Sequence, residues 1–304
     1  MEKRYQMVII GGGPAGYTAA LYGARAGLSV LVIEKMGPGG QMANTGVIEN
    51  YPGFEEGIDG FSLGMKMQQG AERFGAQTLY SEVSMVKLAA NPKQITVGAE
   101  CILADTVVIA TGATPRTLGL TDEEKLIGKG LHYCAHCDGR FYKGKRVIVV
   151  GGGNSALTDA LYLSQLAHEV HLVHRRDTFR AEKIYQDAVK AAKNVVFHPY
   201  TEIKELITEE KICGAVLKNN KTEEEGTLHV DGVFVSIGRK PAAELFSELE
   251  KDANGYLVAG EDTKTSLDGV YAVGDVRQKP FRQIVTAVSD GAVAVHEAQK
   301  FLAR

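Results

Sequence analysis

Two cysteines separated by two residues, in Cys134-Ala135-His136-Cys137-Asp138-Gly139, can close a small disulfide ring and reopen it. The same spacing serves as half of a zinc site, so the pair alone does not decide between redox and metal chemistry. Its position favours redox chemistry. One glycine-rich stretch, Gly11-Gly12-Gly13-Pro14-Ala15-Gly16, begins more than a hundred residues before it; a second, Gly151-Gly152-Gly153-Asn154-Ser155-Ala156, begins 14 residues after Cys137. A thiol pair between two nucleotide fingerprints implies electrons passing from one nucleotide to another and then to sulfur. Asp138, next in the chain, is the candidate acid that protonates a departing thiolate.

The elements around the fingerprints make them credible. Met7-Val8-Ile9-Ile10 reads as a buried strand, Tyr17 to about Ala26 as a helix, and Ser29-Val30-Leu31-Val32-Ile33 as a second strand ending in Glu34. In such a βαβ unit Gly11 allows the tight turn, Gly13 lets the backbone approach a pyrophosphate, and Gly16 lets helix and strand pack closely. With Pro14 and Ala15, they bring the helix N-terminus up to the phosphates. Glu34, 18 residues after Gly16, is where a carboxylate can accept from ribose hydroxyls. A turn-rich, irregular stretch follows, with Gly40, Gln41 and Asn50 as the groups aimed at a cofactor. A helix is expected over 62–74, short strands to 104, and a buried strand over 105–112 that ends in Thr111-Gly112.

The second βαβ unit opens with Lys145 to Val150, its helix runs to about Ala167, and its next strand is Glu169 to Val173. Gly151, Gly153, Asn154, Ser155 and Ala156 form its turn, with alanine as the permitted third small residue. Glu34 follows Gly11 by 23 residues; the residue 23 after Gly151 is His174, followed by Arg175 and Arg176, with Arg180 close behind. An acid repels a 2′-phosphate, whereas arginines bind it through charge-assisted bidentate hydrogen bonds. The second site therefore takes NADPH. A helix over 181–192 and short strands over 195–236 complete this part. Near the end, Val270 to Gly274 reads as a buried strand reaching Asp275, which can accept from a ribityl hydroxyl. Arg282 and Gln283 then open a small-residue helix from Ile284 to about Leu302, whose first-turn N–H groups suit the electron-rich edge of an isoalloxazine.

Composition sets outer bounds. The 304 residues suit about two domains. Hydrophobic residues at 44% and charged residues at 23% are ordinary for a globular protein, and a net charge of −3 without a basic run gives no reason to expect nucleic acid. No stretch approaches the ~20 apolar residues of a membrane span. The first residues run straight into a strand, leaving no room for a signal peptide. Four cysteines, two of them far from the pair, make no disulfide framework, so a cytoplasmic setting is expected. Cys101 and Cys213 read as small buried hydrophobes.

Taken together, these features resemble the low-molecular-weight, bacterial-type thioredoxin reductases. The resemblance rests on the two fingerprints, Gly39-Gly40-Gln41, Glu49 to Gly53, Ala110-Thr111-Gly112, Cys134 to Gly139, His174 to Arg180, Gly274 to Arg277, and Arg282-Gln283. It implies an α/β protein with two Rossmann-like, three-layer ββα domains. The NADPH domain, 115–241, is inserted in a discontinuous FAD domain, 1–114 and 242–304. Thr114-Pro115 and Gly238-Arg239-Lys240-Pro241 are its entry and exit, and both can act as hinges. The resemblance further implies a homodimer that passes electrons from NADPH through FAD to Cys134–Cys137 and on to thioredoxin, with no metal. Cys137 would face the flavin and Cys134 attack the partner, while one domain rotates against the other between two working states. The family usually has Thr or Val at position 136; His136 here is expected to stabilise thiolate and make the couple more oxidising, which redox titration against a His136→Thr protein decides. Besides a non-catalytic flavin-dependent redox sensor, which would consume no NADPH with any disulfide partner, two other readings use the same residues. One is a related flavin reductase serving another disulfide carrier or a peroxidase; the peroxidase-feeding kind carries an extra thioredoxin-like domain, for which this sequence shows no candidate. The other is a zinc module built from His132, Cys134, His136 and Cys137, whose close packing suits a tetrahedron poorly.

Overall fold

Met7, Val8, Ile9 and Ile10 are all apolar because both faces of their strand are covered. Met7 and Ile9 enter one core with Val30, Val32 and the small residues of two helices; Val8 and Ile10 enter another with Leu31, Ile33, Ile95 and Phe246. Alternating residues of one strand thus belong to different layers, the pattern of a parallel sheet sandwiched on both sides. Burying each of these side chains stabilises the fold by about 1.5–3 kcal/mol.

The computed structural model describes residues 3–303. The chain forms two units, Met1–Thr114 with Lys240–Arg304, and Pro115–Arg239. The first begins with β1 (Lys3–Ile10), α1 (Pro14–Arg25) and β2 (Val30–Glu34). It continues through α2 (Gly60–Glu72), β3 (Gln77–Tyr80), β4 (Val83–Lys87), β5 (Lys93–Val97) and β6 (Glu100–Ile109). After β7 (Ala113–Pro115) the second unit supplies β8 (Leu131–His132), α3 (Ala135–Asp138), β9 (Arg146–Val150), α4 (Asn154–Ser164) and β10 (Glu169–Val173). Next come α5 (Lys183–Ala191), β11 (Val195–His198), β12 (Thr201–Thr208), β13 (Ile212–Asn219), β14 (Glu225–Leu228) and β15 (Gly232–Val235). Beyond β16 (Arg239–Pro241), β17 (Val270–Ala272) and α6 (Ile284–Leu302) close the first unit.

The main sheet of the first unit runs β3-β2-β1-β6-β5-β4, with β17 beside the later half of β6. Strands β1, β2, β3, β17 and the partnered part of β6 are parallel, whereas β4 and β5 make an antiparallel arm. The second unit repeats the plan. A parallel sheet, β11-β10-β9-β15-β8, carries one core against α4 and α5, and another against the antiparallel sheet β12-β13-β14.

Besides shifts of a few residues at element ends, the fold departs from the sequence expectations as follows. Helix α1 starts at Pro14 rather than Tyr17, because proline's fixed φ and missing N–H suit the first helical position. The stretch after Glu34 is less irregular than its composition suggests: Gly40–Asn44 winds into a short 3-10 helix. The chain re-enters the first unit at Lys240 rather than 242. Cys101 is exposed, not buried, and Cys213 is half-buried. Cys101 pairs with Thr96 on the antiparallel arm, which can face water on one side, while the Cys213 thiol donates to the Ile207 carbonyl at 3.5 Å.

Candidate functional site

In the first unit the glycines are dictated by what surrounds them. Gly11 has φ +105°, and a Cβ there would lie 2.5 Å from the Ala110 carbonyl oxygen; a Cβ on Gly16 would lie 2.0 Å from that of Gly11. Gly13 differs: a Cβ there meets nothing within 4 Å, although the residue caps α1 and no side chain caps the helix. Backbone N–H groups opening on free space at a helix start fit a bound pyrophosphate. Glu34 sits at the end of β2, where one carboxylate oxygen accepts from Gly12 N at 2.6 Å and the other from Met36 N at 3.0 Å. Each oxygen keeps lone-pair capacity for a ribose hydroxyl.

Residues far apart in sequence come together around this turn. Gly40 lies with its Cβ direction 3.5 Å from the Gly13 Cα, so Gln41 follows beside the turn. Gly274 approaches the Ala15 side chain, 3.1 Å from its own Cβ position. Asn50 donates to the Gln283 side-chain oxygen at 3.1 Å, and Gln283 caps α6 in a reciprocal box with Thr286. Arg282 donates to the backbone oxygens of Asp275 and Arg277 and lies 4.1 Å over the Tyr256 ring. Thr111 donates to Ala242 O at 2.7 Å, and Gly112 takes φ +72°. Asp290, which no motif or spacing singles out, accepts from Gly274 N at 2.9 Å and so anchors the Gly274-Asp275 turn.

In the second unit the cradle recurs. A Cβ on Gly151 would lie 2.4 Å from Ser236 O, Gly153 opens on space, and Ala156 is fully buried against the turn. Asn154 and Glu182 clasp each other, with Asn154 Nδ2 donating to Glu182 Oε1 at 2.7 Å and Glu182 N to Asn154 Oδ1 at 2.8 Å. Ser155 is exposed beside it. His174 is 7% exposed, its ring lies against Gly152, and its Nε2 has no hydrogen-bond partner. Burial first, then Arg175, Arg180 and Arg176, lower its pKa, while a hydrogen bond at Thr178 opposes them. Arg180 N donates to Gly152 O at 2.8 Å, and Arg175, Arg176 and Arg180 are exposed. A buried unpaired nitrogen against the glycine turn, followed in the chain by three exposed arginines, fits a phosphorylated dinucleotide.

The cysteine pair lies in the second unit. Cys134 and Cys137 are disulfide-bonded, and Cys137 N donates to Cys134 Sγ at 3.2 Å as the cap of α3. Gly139 is required because a Cβ would strike Leu163 and Tyr162, and the exposed His136 lies 4.3 Å from the Tyr162 ring. Asp138 meets His132, and His132 meets Tyr142. Of the four donors the zinc reading needs, the two sulfurs are bonded to each other and His132 meets Asp138 and Tyr142. Among the described residues no group of three or more His, Cys, Asp or Glu is arranged to hold a metal. Nor is any helix among them long and apolar enough to cross a membrane.

Comparison with known proteins agrees with these features. The sequence model of the pyridine nucleotide-disulphide oxidoreductases matches residues 5–291. Thioredoxin reductase of Listeria monocytogenes is 45% identical over 303 residues, which are 99% of this chain and 95% of that one. The crystal structure of thioredoxin reductase from Streptococcus pyogenes superposes with a TM-score of 0.93 at 42% identity, over 100% of this chain and 99% of that one. That from Giardia duodenalis gives 0.94 at 35% identity, covering all of both chains.

Proposed function

The chain belongs to the pyridine nucleotide-disulphide oxidoreductase family and, within it, to the thioredoxin reductases, and from that membership we propose how its residues divide the work. The protein is an oxidoreductase that uses FAD and NADPH to reduce the disulfide of thioredoxin. The first unit binds FAD. Gly11, Gly13, Pro14, Ala15 and Gly16 receive its pyrophosphate, Glu34 its adenosine ribose, and Gly40, Gln41, Asn50, Thr111, Gly112, Gly274, Asp275, Arg282 and Gln283 line the rest. The second unit binds NADPH. Gly151, Gly153, Asn154, Ser155 and Ala156 form the turn, while His174, Arg175, Arg176 and Arg180 recognise the 2′-phosphate. Bound FAD relays two electrons from the nicotinamide to the disulfide.

The residues of the chain then do the sulfur chemistry. Two electrons and one proton, the equivalent of the NADPH hydride, break the Cys134–Cys137 bond and leave a Cys134 thiolate and a Cys137 thiol. The Cys134 thiolate attacks the thioredoxin disulfide; a mixed disulfide forms, and the expelled thioredoxin thiolate takes a proton from Asp138. The Cys137 thiol next gives up its proton and attacks Cys134 as the thiolate, which re-forms the intramolecular bond and releases the second thioredoxin sulfur to take up that proton. Each turn consumes one NADPH and one proton and yields one dithiol. The observation that carries this reading is the disulfide held in the unit that also bears the basic fingerprint. A homodimer in a reducing cytoplasm is the proposed setting.

The test is NADPH oxidation by the flavin-loaded protein with thioredoxin and a disulfide dye. Cys134→Ser should keep its flavin and lose at least 100-fold in thioredoxin-dependent turnover, an effect on the order of 3 kcal/mol. Full turnover in that variant refutes the reading, and sedimentation of the holoenzyme decides the dimer.

A further inference from the structure

A chain of two hydrogen bonds leads from the redox helix into the core of the second unit. His132 ends β8 opposite Phe234 and is 6% exposed. Its Nδ1 is 3.0 Å from Asp138 Oδ2, and its Nε2 is 2.6 Å from the Tyr142 hydroxyl. The ring stacks on Phe234 at 5.1 Å and meets Tyr142 edge-on at 5.2 Å, so it cannot swing away. Tyr142 is 7% exposed, and burial, then Asp138 and Asp231, push its hydroxyl pKa up to about 12, so it stays protonated. The other charge near Tyr142 is the Lys145 ammonium, 5.3 Å over its ring. Asp138, with its side chain 20% exposed, is the end of the chain that opens outward.

Resting on the function proposed above, we propose that His132 is the proton store for Asp138, with Tyr142 holding its ring. An isolated aspartic acid has a pKa of about 3.9, so at pH 7 only about one in a thousand carries a proton to give. An imidazole titrates in the neutral range, and a carboxylate beside it favours its charged form. The balance is direct. His132 Nδ1–H passes its proton to the Asp138 carboxylate, and the imidazolium becomes imidazole; the Asp138 carboxyl gives that proton to the leaving thiolate, which becomes a thiol. Solvent at the open edge of Asp138 then returns one proton, the one that each catalytic turn consumes. His132 touches neither sulfur nor nucleotide on this account; it is a positioning residue that acts through Asp138.

His132→Asn separates holding from storing, because the amide can still donate to Asp138 but has no proton to release. Thioredoxin-dependent turnover of the holoenzyme, expressed relative to ferricyanide reduction, which bypasses the disulfide, is measured from pH 5 to 8. The variant should lose about 100-fold at pH 7, within the usual span for general acid catalysis, and the deficit should shrink towards pH 5. Tyr142→Phe, which removes only the hydroxyl, should show the same pH-dependent deficit at a few-fold, and serves if the first variant does not fold. Histidine-labelled holoenzyme gives a readout that is not activity. The His132 Nδ1–H resonance should lose in Asp138→Asn the downfield shift that its hydrogen bond to the carboxylate gives it in the wild type. Profiles of His132→Asn and wild type that run parallel across the range overturn the proton store while leaving the reductase standing. A wild-type protein that does not reduce thioredoxin at all overturns the function, and the proton store with it.

Discussion

Asp290 offers the sharpest test of how the first unit holds its Gly274-Asp275 turn. The carboxylate is 6% exposed and accepts from Gly274 N, Arg277 Nε, Arg277 Nη2 and Lys279 Nζ at 2.8–2.9 Å. Arg277 is 3% exposed, and the Lys279 side chain 4%. Asp290→Asn keeps the shape and removes the charge. Two buried cations then face a neutral amide whose NH2 group opposes their donors. Breaking a buried ion pair by removing one partner costs about 3–5 kcal/mol, because the remaining charge stays buried and uncompensated. For domains of 150–250 residues each kcal/mol lowers Tm by roughly 2–4 °C, so the expected loss is roughly 6–20 °C. Burial pushes the Asp290 carboxyl up, but hydrogen bonds from Arg277 and Lys279 outweigh that and hold it below the ordinary aspartate range. The stabilisation is therefore present above the unfolded value of about 3.9 and is lost as pH falls through the lower folded value. Wild type and variant should converge in strong acid. The assay is thermal unfolding of the flavin-loaded protein by calorimetry at pH 7 and pH 3, with flavin retention after gel filtration as a second reading. Lys279→Met, which removes one cation and leaves the bidentate Arg277–Asp290 pair, should cost much less. A Tm for Asp290→Asn within about 2 °C of wild type at pH 7 refutes the argument, since two cations left buried without their counter-charge must cost more than that.

Arg176→Ala should raise KM for NADPH about 10- to 150-fold and leave that for NADH nearly unchanged, as expected for loss of a charge-assisted bond worth about 1.5–3 kcal/mol; equal effects on both nucleotides would remove the arginine from 2′-phosphate recognition. His171, His174 and His198 all have pKa values lowered chiefly by burial. The unfolded chain takes up protons below about 6.5 where the folded one does not, so stability is full above that pH and declines below it. Calorimetry should show a lower Tm at pH 5.5 than at pH 7.5, and a flat Tm across that interval would be the wrong result.

The parallel sheets were legible because strands covered on both faces must be apolar at every position. Val147 to Val150 repeat the division seen in β1: Val147 and Val149 enter one core, Ile148 and Val150 the other. The turns were legible because glycines at Gly11, Gly16 and Gly151 are forced by backbone atoms close to where a Cβ would be. Partnerships across the chain were not legible. Asp290 reaches back to Gly274, Glu182 to Asn154, and each is an ordinary acid on or beside a helix until the fold supplies its partner. His132 carried the weakest signal of this kind: near two cysteines, a histidine suggests a metal ligand, and only the distances to Asp138 and Tyr142 reassign it. Cys101 shows the opposite error, since a strand residue on an antiparallel arm need not face the core.

The shared register of the two fingerprints has a physical basis that residue spacing alone does not display. The motif assigns roles to its first, third and last small residues and none to the middle glycine. In the first unit a Cβ on Gly12 would lie 3.0 Å from the Glu34 carboxylate; in the second, a Cβ on Gly152 would lie 2.4 Å from the His174 ring. In both units the middle glycine leaves room for the residue 23 positions after the first glycine to lie against the turn. That contact puts Glu34, the last residue of β2, and His174, the first residue after β10, beside the glycines of their turns. The two residues differ in chemistry: Glu34 brings a negative charge, and His174 brings a ring followed by Arg175 and Arg176. The same backbone device therefore recurs in the two units with opposite chemistry set against it, because the glycine turn leaves that neighbouring side chain free to vary.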